Sequence, residues 1–165
     1  MFIEHLDAVI RRDLKCLRRE LEQYPDEKDI WKVLPGITNS AGTLALHMCG
    51  NLRHFIGAQY GATGYVRDRD AEFSRRNVPR SELMAIIDAT LADIDQALPN
   101  VDAAALEGDY PLKIADASVG TAEFLLHLTG HLTYHLGQLD YHRRIVTGAA
   151  GKVGAISPRE LSTAR

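Results

Sequence analysis

Residues 119–146 read VGTAEFLLHLTGHLTYHLGQLDYHRRIV. Apolar side chains recur in this stretch at intervals of three and four, which is the spacing of the buried face of an α-helix. They are Phe124, Leu125, Leu128, Leu132, Leu136, Leu139 and Ile145. Ser118 is a candidate N-cap and Gly148 a candidate stop, because serine accepts from free backbone N–H groups and glycine readily ends helices. The pattern predicts one long helix over about residues 119–146.

The same periodicity occurs in three earlier stretches, at about residues 2–21, 40–60 and 81–98. Pro25 ends the first stretch and Pro99 the third, since proline cannot continue a helix. Asn39 or Ser40 can cap the second, because either side chain can accept from a free backbone N–H group. No stretch alternates as a strand should, although residues 110–114 suit a short extended piece.

Four long helices in one chain predict an all-α fold, a four-helix bundle with long crossover connections. The links at residues 61–80 and 99–118 exceed the roughly 2–8 residues of most bundle connections. We therefore expect these links to cross over or to carry function. We expect a single domain over residues 1–165, with an irregular tail from about residue 149.

The composition argues against several classes of protein. The chain has 165 residues, of which 45% are hydrophobic, so it can bury a core. A net charge of −3 gives no reason to expect a nucleic-acid partner. Cys16 and Cys49 are too few for a disulfide scaffold, and no run approaches the ~20 apolar residues of a membrane span. The charged N-terminus is unlike a secretory signal, so we expect a cytoplasmic protein with no membrane partner.

Histidines recur along the last predicted helix, where His127, His131 and His135 follow one another at steps of four and His142 comes seven later. Residues four apart lie one turn apart on one side of a helix, so two such imidazoles can chelate one ion. A buried row of histidines needs a metal or hydrogen-bond partners, and a solvent-facing row is the other alternative. Spacing does not choose between the pair His127 with His131 and the pair His131 with His135.

A third ligand would come from another helix, since catalytic zinc sites use three protein ligands and keep one position open. The second helix offers His47 and His54, which share a face but lie two turns apart. Gln138 could contact a metal-bound water or a substrate, but a helix-packing or capping hydrogen bond is its more ordinary role. Residues 67–70 alternate arginine and aspartate and predict a self-neutralising loop, with a lid over the site as the alternative.

Residues 131–144, HLTYHLGQLDYHRR, resemble the C-terminal signature of the DinB-like superfamily, the YfiT-like metal-dependent proteins. The matching core is His131, His135, Gly137 and Gln138. Residues 43–55, TLALHMCGNLRHF, resemble the helix that carries the other metal ligand of that superfamily, and this ligand maps onto His47.

The resemblance implies a four-helix bundle, often homodimeric, with a divalent-metal site formed by His47, His131 and His135. We expect the metal to be zinc or nickel, although imidazole ligands suit iron and copper alike. The resemblance leaves His127 and His142 as flanking residues.

Two classes of function follow from these expectations. The first is a metal-dependent enzyme, because some DinB-like proteins are transferases that use low-molecular-weight thiols. Metal-assisted hydrolysis of a small-molecule substrate fits the same ligands. The alternative is a non-catalytic metal-binding or stress-related protein whose metal is structural. The sequence contains no Ser-His or Cys-His nucleophile pair, so no catalytic residue is assigned.

Overall fold

The computed structural model describes residues 2–151, 153, 156–161 and 163, and the regular secondary structure of this part of the chain is helical apart from two isolated β-bridges. Its α-helices, in chain order, are α1 (Phe2–Glu22), α2 (Ala41–Leu52), α3 (Arg69–Ser74), α4 (Arg80–Ala97), α5 (Ala103–Glu107) and α6 (Thr121–Thr147). The four long helices pack as a bundle, in the order α1, α4, α2, α6 around its axis. The predicted all-α four-helix bundle is thereby confirmed.

The bundle has diagonal connections. Among the four long helices, α1 and α2 each pack on α4 and α6, so α1 lies across the bundle from α2, and α4 across from α6. The link from α4 to α6 therefore crosses the bundle, as its length predicted, and so does the link from α1 to α2. The link from α2 to α4 joins neighbours instead, and it carries α3, which packs on α2.

The helix ends follow local hydrogen bonding. Ser40 caps α2, since its hydroxyl accepts from the backbone N–H of Thr43 at 3.2 Å. Gly148 ends α6 in the left-handed conformation, with φ of 69°. The Ser118 cap was wrong: α6 begins at Thr121, after Gly120. The reason is that the chain just before α6 is held in extended bridges, including one between Asp109 and Gly120.

The second helix was predicted as one continuous helix over about residues 40–60. In the structure α2 ends at Leu52, and a π-helical turn, Arg53–Ala58, continues it. Side chains occupy two carbonyl oxygens of this turn that an α-helix would use. The Tyr110 hydroxyl donates to the carbonyl of Phe55 at 2.6 Å, and the Gln59 amide donates to that of His54 at 3.2 Å.

After α6, the described residues contain a 3₁₀ turn at Pro158–Glu160. Residues 152, 154, 155, 162, 164 and 165 of the predicted tail lie outside the described part of the chain. Across the described part, no helix combines the length and the apolar character that crossing a bilayer requires.

A buried arginine joins both ends of the chain. Arg143 on α6 is only 2% exposed and donates to the Glu20 carboxylate on α1. It also donates to Asp140 at 3.0 Å and to the carbonyl of Gly151 at 2.7 Å. Because Glu20 is fully buried, removing the guanidinium would leave its carboxylate without a counter-charge.

We expect Arg143→Met to lower the free energy of unfolding by about 3–5 kcal/mol, the usual cost of breaking a buried ion pair from one side. The double variant Glu20→Met/Arg143→Met should recover much of that loss, because it removes both charges. Urea denaturation followed by circular dichroism measures both effects. Arg75→Met is the control, since its exposed ion pair with Glu82 should contribute less than about 1 kcal/mol. A loss in Arg143→Met no larger than in the control would contradict this role.

Candidate metal centre

Three histidine side chains converge between α2 and α6. His47 comes from α2, while His131 and His135 lie one turn apart on α6. The Nε2 atom of His131 lies 3.2 Å from that of His47 and 3.1 Å from that of His135. One ligand atom from each ring falls within 4.8 Å of the others. The structure thus brings together the three residues that the resemblance selected.

The spacing of these nitrogens fits a shared ion. A tetrahedral zinc ion with Zn–N bonds of 2.0–2.1 Å holds its nitrogen ligands about 3.3 Å apart. The observed separations of 3.1 and 3.2 Å agree with that value. The donor set is three imidazoles, which suits zinc, nickel, copper or iron.

Hydrogen bonds to the far side of two rings aim their lone pairs at the centre. Nδ1 of His47 donates to the Glu72 carboxylate at 2.9 Å, and Nδ1 of His135 donates to the Gln138 amide oxygen at 2.7 Å. In the neutral rings both Nε2 atoms are therefore acceptors. Nε2 of His131 contacts the Nε2 atoms of both His47 and His135, yet it carries at most one proton. At least one of these two contacts therefore places two nitrogen lone pairs against each other. A cation at the centre removes this conflict.

The surroundings favour the neutral form of the two imidazoles on α6, which is the form that binds a metal. Burial and the neighbouring imidazoles, together with Arg67, lower the pKa of His131 to about 4. Burial also lowers the pKa of His135, although its hydrogen bond to Gln138 acts in the opposite direction.

Glu72 of α3 supports His47 from behind. Its side chain is 5% exposed and accepts from Arg67 through both oxygens, at 2.7 and 2.8 Å. Burial alone would raise the pKa of this carboxyl group, but the hydrogen bonds from Arg67 and His47 lower it below its usual value. Carboxylates in this position fix the orientation of a ligating imidazole and raise its basicity.

Gly50 makes room for this carboxylate. It lies on α2 one turn after His47, and a Cβ added there would lie 2.2 Å from Oε1 of Glu72. A side chain at this position would therefore displace Glu72. Glycine weakens the interior of a helix, so the close approach of Glu72 explains its presence in α2.

Aromatic rings flank the histidines. The Phe73 ring lies 4.8 Å from the His47 ring, and the Tyr134 ring lies 5.3 Å from that of His135. His127 stays outside the group, with its exposed ring stacked on Phe124.

The other predicted candidates have separate positions. His142 is a buried core residue that contacts the Tyr24 hydroxyl at 2.7 Å and the Lys32 carbonyl at 2.8 Å. His54 lies in the π-helical turn, beside Phe55. Gln138 makes a hydrogen bond, as its ordinary role suggested, and its partner is His135.

Sequence reasoning missed Glu72 and Arg67. Arg67 belongs to the stretch interpreted as a self-neutralising loop, and it does neutralise an acid, although that acid is Glu72 rather than a neighbouring aspartate. No spacing rule links Glu72 to His47, because they lie on different helices. The one available signal was the need of a ligating histidine for a second partner at Nδ1.

A family model for a protein of unknown function, DUF1572, matches residues 1–159 of the chain. The chain belongs to the DUF1572 family. No curated protein and no solved structure matches it. Family membership therefore supplies no activity for this DUF1572 protein, and its chemistry must be argued from the histidine group.

We expect Glu72→Gln to weaken divalent-metal affinity about 10–100-fold, the usual effect of removing the partner of a ligating histidine. The amide keeps the size of the side chain but loses its charge, so His47 is held less firmly. Competition with a chromogenic chelator measures the affinity. Glu82→Gln is the control, because Glu82 lies on α4 and forms an exposed ion pair with Arg75. Equal affinities in the two variants would contradict the supporting role of Glu72.

Proposed function

We propose that this DUF1572 protein is a metal-dependent enzyme that acts on a small molecule. The convergence of three imidazole nitrogens on one point is the observation that carries the proposal. His131 and His135 are only half-buried, so one side of the centre is open to a substrate. Catalytic sites keep such an open position, whereas structural zinc sites are closed by four protein ligands.

The spacing of His131, His135 and Gln138 supports a place for the family in the DinB-like superfamily. On that basis we propose transfer of a low-molecular-weight thiol to an electrophile as the reaction, with metal-assisted hydrolysis as the other candidate. A bound divalent ion would lower the pKa of a water or thiol toward neutrality.

The residues of the chain have separable roles in this proposal. His47, His131 and His135 hold the ion, while Glu72 and Gln138 orient two of the three rings. Zinc and nickel are the proposed metals, and three imidazole ligands suit both.

A cavity is lined by Gln138, the partner of His135, but by none of the three converging histidines. Its volume is about 260 Å³, close to the lower end of the usual range for ligand sites. Gln138 lines this cavity while it holds His135, so the cavity reaches the residues that support the centre. Asn39 and Thr38 add polar groups, and Leu44 adds an apolar wall.

The alternative is a structural metal. His47 lies on α2 and the other two histidines on α6, so a shared ion would join two helices of the bundle. The stability of variants separates the alternatives, because a structural ion contributes directly to folding.

We expect purified protein to contain about one zinc or nickel ion per chain, measured by elemental analysis. His131→Ala should lose this stoichiometry, since only two ligands remain. His127→Ala is the matched control, because it removes the neighbouring imidazole one turn earlier on α6 and should retain the metal. An absence of stoichiometric metal, with no rise in melting temperature on adding zinc or nickel, would contradict the site.

The enzyme proposal is tested with electrophilic substrates and a panel of cellular thiols, by following thiol consumption. We expect turnover in the metal-loaded protein and a loss of at least about 100-fold in His47→Ala, because three ligands are needed to hold the ion. Circular dichroism should show that this variant is folded. His5→Ala, which removes an exposed histidine of α1, is the control and should keep full turnover.

No thiol consumption with any electrophile would contradict the transferase proposal and leave hydrolysis to be assayed. A His47→Ala chain that unfolds would support the structural alternative.

A further inference from the structure

Helix α6 has a largely exposed apolar stripe, and the contacts of its tyrosine rings with His135 and Arg144 are made within the same helix. Its large members are Leu126, Tyr134, Tyr141 and Ile145, which are 56, 65, 66 and 65% exposed. Gly130 and Gly137 lie between them, so the six positions follow one another at steps of four, four, three, four and four. This spacing keeps them on one side of the helix, opposite the side that packs into the core.

The two glycines of the stripe are not explained by packing within the chain. A Cβ added at Gly130 or Gly137 would meet no atom within 4 Å. This differs from Gly50, whose missing side chain makes room for Glu72. Glycine costs stability in a helix interior, and it is tolerated where another backbone or a bulky group must come close.

The spacing of the stripe is the same in both directions, and reversing the stripe places its tyrosines opposite its glycines. About the point between His135 and Leu136, Tyr134 mirrors Gly137 and Tyr141 mirrors Gly130. At the ends of the stripe, Leu126 mirrors Ile145. Each tyrosine ring thus has a glycine as its symmetric counterpart, and the aliphatic residues at the two ends are counterparts of each other.

We propose that α6 pairs with α6 of a second copy of this chain, antiparallel and in this register. A twofold axis places the same patch on both partners, so the patch must fit itself. In this register each Tyr134 ring packs over the partner's Gly137, and each Tyr141 ring packs over the partner's Gly130. The heptad spacing of Gly130 and Gly137, and of Tyr134 and Tyr141, is that of paired helices.

Charge and size agree with this arrangement. Antiparallel pairing brings Arg144, which also pairs with Asp140 of its own helix, to within about 6 Å, along the helix axis, of the partner's Glu123, since each residue advances a helix by 1.5 Å. The two tyrosines expose roughly 250 Å² per copy, taking about 200 Å² for a whole tyrosine side chain. A standard interface covers about 800 Å² per partner. Leu126 and Ile145 add exposed apolar area, and the rest of such an interface would come from polar residues beside the stripe.

The pairing also places the two metal centres. The twofold axis of an antiparallel pair runs perpendicular to both helices, so it keeps each flank of α6 on the same side of the dimer. His131 and His135 project from one flank of the stripe, about 100° from its middle. Both candidate centres of the dimer therefore open on one face.

Sedimentation equilibrium across the micromolar range tests the pairing. We expect the 18.3 kDa chain to form a dimer. Gly130→Ala/Gly137→Ala should raise the dimer dissociation constant about tenfold or more, because the added methyl groups push the helices apart. The isolated chain should melt a few degrees higher, since alanine favours the helix and the new methyl groups meet nothing within it.

A charge substitution gives a second arm with a matched control. Tyr141→Glu should abolish the dimer, because it places two like charges within the interface. Val66→Glu should leave it unchanged, since Val66 is an 87% exposed apolar residue that lies off the stripe. A monomer at every concentration, or equal loss in both glutamate variants, would overturn the proposal.

Cross-linking with a short bis-maleimide tests the register. Leu126→Cys/Ile145→Cys should form covalent dimers, because residue 126 of one copy faces residue 145 of the other. Leu126→Cys alone should form none, since the two copies of that residue lie at opposite ends of a stripe about 29 Å long. The native Cys16 and Cys49 are buried and should not react. Equal cross-linking of the single variant would overturn the antiparallel register.

Discussion

The hydrogen bond from His47 to the Glu72 carboxylate is the constraint on which the histidine group depends. It fixes the proton of His47 on Nδ1, so that Nε2 faces the two histidines of α6. It also attaches the link between α2 and α4 to the bundle, because Glu72 belongs to the short helix of that link. Arg67 compensates the buried negative charge. One carboxylate therefore joins the connectivity of the fold to the geometry of the candidate centre.

Helix α6 satisfies three separate demands with three of its sides. Leu128, Leu132 and Leu139 face the core, and His131 and His135 face α2. The remaining side carries the exposed tyrosines and glycines. The helix therefore contains histidine, glycine and exposed tyrosine at once, although none of these is favoured for a helix by intrinsic propensity.

The four long helices were predictable from the sequence because each buries an apolar face, and burial leaves a periodic signature. The extended start of α6 and the π-helical turn after α2 were not predictable in this way. They depend on contacts such as that of Tyr110 with Phe55, between residues distant in the chain.

The candidate site was only partly predictable. Helical spacing placed His131 and His135 together but left His127 as an alternative ligand. The choice came from the family resemblance, and the geometry agrees with it because His127 lies beyond the convergent group. Glu72 was missed because the contact that gives it a role is tertiary.

The tight fit between Gly50 and Glu72 has a consequence for how this family can diverge. Any residue larger than glycine at position 50 fills the space that the carboxylate occupies, and a glycine there is disfavoured once the carboxylate is gone. The two positions are therefore expected to change together across the lineage, as a coupled pair. A relative that has lost both residues would also have lost the buried carboxylate that supports the histidine of α2. The chemistry of its centre would then have changed before any of the three histidine ligands was replaced.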